Sequence, residues 1–204
     1  ARTRHDKPVM TESDTDTGAG PRIRRVPSGD DRERLLCPDC GFIAYENPKV
    51  IVGSVVTYGE AILLCKRAIP PRKGYWTLPA GFLELNESTD VGAKREAWEE
   101  ATAEIEIDAL LAIYEITRIS QIQFMYRAQL LNPDIAAGPE SAEVGLFAWA
   151  DIPWREIAFP SAVWALNEYY DRRGQSGFAP ATEPKGRTDF LRNWPAPGGA
   201  GGGL

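Results

Sequence analysis

The hexapeptide Arg95-Glu96-Ala97-Trp98-Glu99-Glu100 constrains the fold of this chain more than any other stretch. At about 100° per residue, Glu96, Glu99 and Glu100 fall in one sector of a helix, while Ala93, Ala97 and Ala101 line the opposite side. A row of alanines lets a helix lie close against a sheet. Ser88 or Thr89 as N-cap, with Asp90 in the first turn, predicts this helix over Ser88–Ala101. Like charges so spaced repel by roughly a few tenths of a kcal/mol per pair. The pattern is read in two ways: as an ordinary solvated acidic face, or as carboxylates gathered for a divalent cation. Hard carboxylate oxygens suit Mg²⁺ or Mn²⁺.

Composition narrows the chemistry. The 204 residues include one histidine, His5, in a polar, Arg-rich leader. Ser-His-Asp and Cys-His catalysis are therefore excluded from a folded site, as is His-ligated zinc. Residues 1–36 are nearly neutral, whereas Glu84–Glu106 holds eight acidic and two basic residues. Such a cluster argues against a nucleic-acid groove there. Three cysteines cannot build a disulfide framework and fit a reducing compartment. No stretch approaches the roughly 20 apolar residues of a membrane span, and no secretory apolar segment follows the N-terminus, so a cytoplasmic protein without membrane partners is expected.

The periodicities outline one α/β (α+β) domain with appendages. Val50–Thr57 and Ala61–Arg67 are aliphatic runs joined at Tyr58-Gly59, a hairpin signal. Further strands are expected near Ala109–Thr117, Ile119–Leu131 and Val144–Trp149, with a second helix over Ser161–Arg173 stopped by Gly174. This order predicts a mixed β-sheet sandwiched between α-helices. The expected divisions are a flexible leader over 1–20, a small β-hairpin extension over 21–45, the main domain over 46–174, and a flexible tail over 175–204.

Upstream of the acidic helix lies Trp76-Thr77-Leu78-Pro79-Ala80-Gly81, where Gly81 permits a backbone turn. Glu87 and Arg95 are placed to pair across the loop-to-helix junction. Gly81, five residues, Glu87, seven residues and then Arg95–Glu100 together resemble the Nudix box, the signature of the Nudix hydrolases. One position departs from it: Thr102 stands where the family has glycine, at a helix exit where a left-handed conformation costs a β-branched residue about 1 kcal/mol or more. The stretches Cys37–Lys49, Leu64–Arg67, Gly74–Glu84 and Gly138–Ser141 resemble the branch with a zinc-ribbon-like N-terminal segment. That branch includes ADP-ribose pyrophosphatases and plant chloroplast FAD pyrophosphatases. The similarity spans roughly residues 21–173.

The resemblance implies the Nudix fold and an Mg²⁺-dependent (or Mn²⁺-dependent) hydrolase of a nucleoside diphosphate linked to another moiety. It implies Glu96, Glu99, Glu100 and the Ala80 carbonyl as metal ligands, with Glu99 or Glu100 also orienting the attacking water. It implies mainly structural roles for Gly81, Glu87 and Arg95. An extra carboxylate is expected from a later loop, Glu143 first and Glu140 second; each is otherwise a solvated loop residue. Arg67 is a candidate phosphate grip or a surface ion pair. Phe82, Tyr75 and Tyr126 are candidate stacking partners for adenine or flavin, or core aromatics. Cys37 and Cys40 make half of a ribbon, and a closed site needs four ligands. The earlier pair would fall near Thr15 and Gly18, so zinc is not expected. A homodimer is implied by the family alone.

No motif of the NADH-cleaving branch follows Ala103, and the next proline is Pro133. FAD and ADP-ribose remain the leading substrates. The alternatives are an NADH or nucleoside-triphosphate pyrophosphatase, or a Nudix-fold sensor that binds ADP-ribose without cleaving it.

Overall fold

The structure, a computed structural model, describes residues 20–184, so the leader over 1–20, but for its last residue, and the tail from residue 185 lie outside the described residues. The chain divides into two compact units, residues 1–47 and residues 48–204.

The first unit is a three-stranded antiparallel sheet, β1 (Ile23–Arg25), β2 (Arg34–Leu36) and β3 (Ile43–Ala44), in that order. A hairpin was the expectation here; the third strand arises because Gly41, at φ 76°, turns the chain back along β2. The Cys37 N–H bonds the Phe42 carbonyl at 2.8 Å and the Gly41 N–H bonds the Cys37 carbonyl at 2.9 Å, which closes that turn. In the β1–β2 turn, Asp30 accepts the N–H groups of Asp31 and Arg32 at 2.7 and 3.2 Å and pairs with Arg34 at 2.9 Å.

The second unit is built on a mixed sheet. β4 (Lys49–Tyr58) and β5 (Ala61–Arg67) form the expected hairpin around Gly59, at φ 59°. Two short strands follow: β6 (Trp76–Thr77) pairs with β5, and β7 (Ala80–Phe82) pairs with β4. Helix α1 (Thr89–Ala101) leads into β8 (Ile105–Ile116), which pairs antiparallel with β9 (Gln121–Leu130). β9 runs parallel to the central β4, and β10 (Ser141–Ala148) lies antiparallel to β5. The sheet order is β10-β5-β4-β9-β8, and α2 (Pro160–Arg172) closes the main body.

Alternation along β4 assigns the two faces. Val55 packs with Ala162, Val163 and Leu166 of α2 and with Leu111 and Tyr114 of β8. Val52 and Val56 face the other way, toward Ala93, Ala97 and Ala101 of α1. The alanine stripe thus does what its size allows, seating α1 directly on the sheet. Glu96 and Glu100 were expected on the opposite side but are buried along with the alanines, because seven residues at about 100° each bring Glu100 round next to Ala93. The architecture is the expected mixed sheet between helices.

The segment after Gly174 departs from expectation. Residues 175–184, expected within a flexible tail, run along the edge of β8: Ala181 N–H bonds Leu111 O at 3.0 Å and Ala181 O accepts Ile113 N–H at 2.8 Å. Phe178 lies under the guanidinium groups of Arg127 and Arg172, 5.1 and 4.9 Å from its ring centre. An edge strand offers unpaired backbone groups, and this segment satisfies some of them. Among the described residues no helix is long and apolar enough to cross a membrane.

Candidate active site

The acidic face of α1 is brought against β7 by two close approaches. Ala80 and Gly81 pair with Gly53 and Val52 of β4. A Cβ on Gly53 would lie 2.5 Å from the Ala80 Cβ, so glycine there lets the two strands meet. A Cβ on Gly81 would lie 2.4 Å from Glu96 Oε2. Gly81 was expected to serve a backbone turn. It instead lies within β7, outside the left-handed region, and its lack of a side chain makes room for the Glu96 carboxylate.

Arg95 is the hub of the cluster. Its guanidinium binds Glu87 twice, at 2.7 and 3.1 Å, along with Glu96 Oε1 at 2.6 Å, Glu99 Oε2 at 2.9 Å and the Phe82 carbonyl at 2.9 Å. Glu87 in turn accepts the Glu84 N–H at 2.7 Å. The β7–α1 loop is therefore tied to the first turns of the helix through one planar cation. The Arg95 pair and that N–H hold Glu87 below the usual carboxylate range.

Glu100 stands in a different environment. It is 6% exposed and accepts the Ala80 N–H at 3.3 Å. Burial, then the charge of Glu96, push its carboxyl up to about 8; Ala80 N–H and Arg67 oppose this, and Glu140 adds to it. Glu96 is also buried and raised, by burial first, with Arg95 opposing. Two buried carboxylates thus adjoin the exposed Glu99, and only part of their charge is offset by Arg95. Among the described residues no three His, Cys, Asp or Glu side chains form a ready cage for a metal ion; here Arg95 bonds Glu96 and Glu99. The donor set nonetheless suits a hard divalent cation: the carboxylate oxygens of buried Glu96 and Glu100 and of exposed Glu99, beside the Ala80 backbone.

A family model described as NUDIX domain matches residues 47–164. The chain belongs to the Nudix hydrolase family. A second model, described as Nudix N-terminal, matches residues 19–46. A Nudix hydrolase from Nitrosomonas europaea is 46% identical and superposes with a TM-score of 0.76, covering 82% of this chain and 97% of that one. An ADP-ribose pyrophosphatase of Methanocaldococcus jannaschii is 29% identical over 119 residues, 56% of this chain and 69% of that protein. A MutT-like protein of Streptomyces ambofaciens is 34% identical over 79 residues, 39% of this chain; the match spans about half of that protein, 49%.

Within the Nudix frame, the other residues singled out from sequence divide sharply. Glu143 lies on the exposed side of β10 and pairs with Lys66 at 3.3 Å. Glu140, exposed just before β10, is the loop carboxylate whose charge acts on both Glu96 and Glu100. Arg67 acts on Glu100 through its charge, while its guanidinium bonds the Pro71 carbonyl at 2.7 Å and lies 5.2 Å from the Phe159 ring centre. Phe82 is 52% exposed beside the cluster, with the Lys49 ammonium 5.5 Å from its ring centre. Tyr75 is partly exposed under Arg72. Tyr126 does not offer a stacking face: it is 8% exposed, packs with Val52 and Ala93, and its hydroxyl bonds Thr89 Oγ1 at 2.6 Å. Cys37 is buried and Cys40 exposed in the first unit; Cys65 is buried inside β5.

Two glycines support this Nudix site through contacts that the sequence pattern does not state, Gly138 lying in a stretch already singled out and Gly92 not. Gly138 presses on the end of α1 so closely that a Cβ would lie 1.7 Å from the Glu99 carbonyl oxygen. Its signal is the Gly-Pro pair before Glu140. Gly92 leaves room for Glu87 Oε1, 2.8 Å from where a Cβ would stand. A glycine inside a helix pattern was the available sign.

Proposed function

We propose that this chain is a divalent-metal-dependent hydrolase that cleaves the diphosphate of an ADP-linked nucleotide, ADP-ribose or FAD, to AMP and the other phosphate half. The observation that carries the reading is the buried Glu96–Glu100 pair beside the Ala80 backbone, with Glu100 pushed up to about 8. Burial keeps the Glu100 carboxyl protonated in the metal-free chain, and a bound cation is what would offset the cost of its ionised form.

In this reading Glu96, Glu99, Glu100 and Ala80 hold Mg²⁺ or Mn²⁺. The metal supplies charge neutralisation on the diphosphate and acidifies a bound water. The residues of the chain do the rest. Glu99 or Glu100 orients the water for attack on phosphorus, and Glu140 is the loop carboxylate that assists it. Arg67 adds positive charge on the Glu100 side. Phe82, the exposed ring next to the cluster, takes a base or flavin face. Glu87 and Arg95 keep the loop and helix in register. ADP-ribose as substrate draws support from the Methanocaldococcus jannaschii relative, which carries that activity in its name; FAD draws it from the sequence resemblance. A homodimer belongs to the same reading, and sedimentation of the full chain checks it.

The test is product analysis of the full chain with Mg²⁺, given ADP-ribose, FAD, NADH and a nucleoside triphosphate in parallel. AMP released fastest from ADP-ribose or FAD, and abolished by EDTA, is the expected result. Tight ADP-ribose binding without AMP release would transfer the site to a sensor.

A further inference from the structure

Thr102 ends α1 in the left-handed region, at φ 49° and ψ 26°. A β-branched residue is strained there, and glycine is the residue that avoids the strain. The threonine hydroxyl, however, makes a contact that glycine lacks. Its Oγ1 accepts the Ala136 N–H at 2.9 Å. The same N–H also bonds the Ala101 carbonyl at 3.0 Å, and the Gly138 N–H bonds the Glu100 carbonyl at 3.0 Å. Three successive residues at the helix exit therefore receive alternate amides of the loop over residues 132–140, using carbonyls that a helix terminus otherwise leaves unpaired. Ile135 packs on the cluster that holds Ala97 and Ala101, and Gly138 touches the Glu99 backbone. Two residues beyond Gly138 stands Glu140, whose own carbonyl accepts the Ala68 N–H at 2.8 Å.

We propose that Thr102 is a positioning residue: its hydroxyl staples the loop 132–140 to the exit of α1, and so sets where the Glu140 carboxylate stands against Glu96 and Glu100. The activity part of this inference rests on the hydrolase reading above; the staple itself does not. Replacing threonine by glycine relieves backbone strain and removes the staple, so stability and positioning move in opposite directions.

The experiment compares full-length wild type with Thr102→Gly and Thr102→Ser. Three quantities are measured: the thermal midpoint, amide hydrogen exchange at Ala136, and kcat and KM for ADP-ribose with Mg²⁺. Thr102→Gly is expected to keep or raise the thermal midpoint and to speed exchange at Ala136. Its kcat should fall about tenfold, with KM changed by less than about twofold. Thr102→Ser, which keeps the hydroxyl, should restore both exchange protection and kcat. Wild-type exchange at Ala136 in Thr102→Gly overturns the staple whatever the activity. Faster exchange with unchanged kcat overturns the link to Glu140. A wild-type chain that hydrolyses nothing overturns the hydrolase reading and, with it, that link, while the exchange data still decide the staple.

Discussion

Glu96 folds its carboxylate against the backbone of Gly81, leaving 2.4 Å between Oε2 and the place where a side chain would begin at residue 81. Arg95 holds the other oxygen of that carboxylate at 2.6 Å, so Glu96 has little room to yield. The first glycine of the box and its first helical glutamate are thus one steric unit.

Gly81→Ala is therefore expected to leave the sheet intact and displace Glu96. Activity should fall about a hundredfold, a loss in keeping with misplacing a group at the reacting centre by about 1 Å. Calorimetric Mn²⁺ titration should show weaker binding in parallel. Wild-type affinity in a well-folded Gly81→Ala variant would contradict the arrangement.

Glu100 makes stability depend on pH in the metal-free chain. Its carboxyl holds a proton up to about pH 8 when folded but only to about 4.5 when unfolded. Folding thus takes up a proton within that window, and stability declines as pH rises from 4.5 to 8. Glu96, also raised, acts in the same direction. Glu100→Gln in EDTA should flatten this decline and leave the variant more stable than wild type at pH 8. Added Mg²⁺ should stabilise wild type more at pH 8 than at pH 5. Parallel pH profiles of the thermal midpoint for wild type and variant would refute the assignment.

Arg95→Ala strands Glu87, Glu96 and Glu99 together without their shared cation. Stability should fall by about 2 kcal/mol, since Glu87 and Glu96, both shielded from water, lose their partner. Urea unfolding measures this, and Mg²⁺ should recover part of the loss. An unchanged midpoint would show that the pairs contribute nothing to the folded state.

Ala181 pairs with the edge of β8, and Phe178 anchors that segment under Arg127 and Arg172. Phe178→Ala should cost about 1 kcal/mol through its lost contacts with two guanidinium groups. A chain ending at Gly177 should associate in a concentration-dependent way, because the strand edge is opened. Light scattering across a dilution series distinguishes this from a tail that merely trails in solvent.

The hairpin of β4 and β5, the span of α1 and the two-faced packing of the sheet were legible because apolar periodicity states them directly. Gly59 and Gly174, both at positive φ, were readable as stops for the same reason. What was hidden depends on contacts distant in sequence. Tyr126 looks like any strand aromatic, and only the pairing of β9 with β4 shows that it lies under Thr89 and Ala93. Glu140 and Glu143 are separated by a register shift between Ser141 and Glu143, which a pattern of period two does not reveal. The two-residue β3 is too short to show a period at all. Residues 175–184 read as tail because of their Gly, Pro and polar content, while their order comes from the backbone of β8.

Turnover of a nucleoside diphosphate linkage is the role proposed for the buried carboxylates of α1. It is tested most directly by following AMP release from ADP-ribose and FAD with wild type and Glu100→Gln side by side, each with Mg²⁺ and with EDTA. Metal-dependent AMP is expected from wild type, none with EDTA, and a rate reduced about a hundredfold or more in a folded Glu100→Gln protein. Equal rates in the two proteins, or release that persists in EDTA, would contradict it.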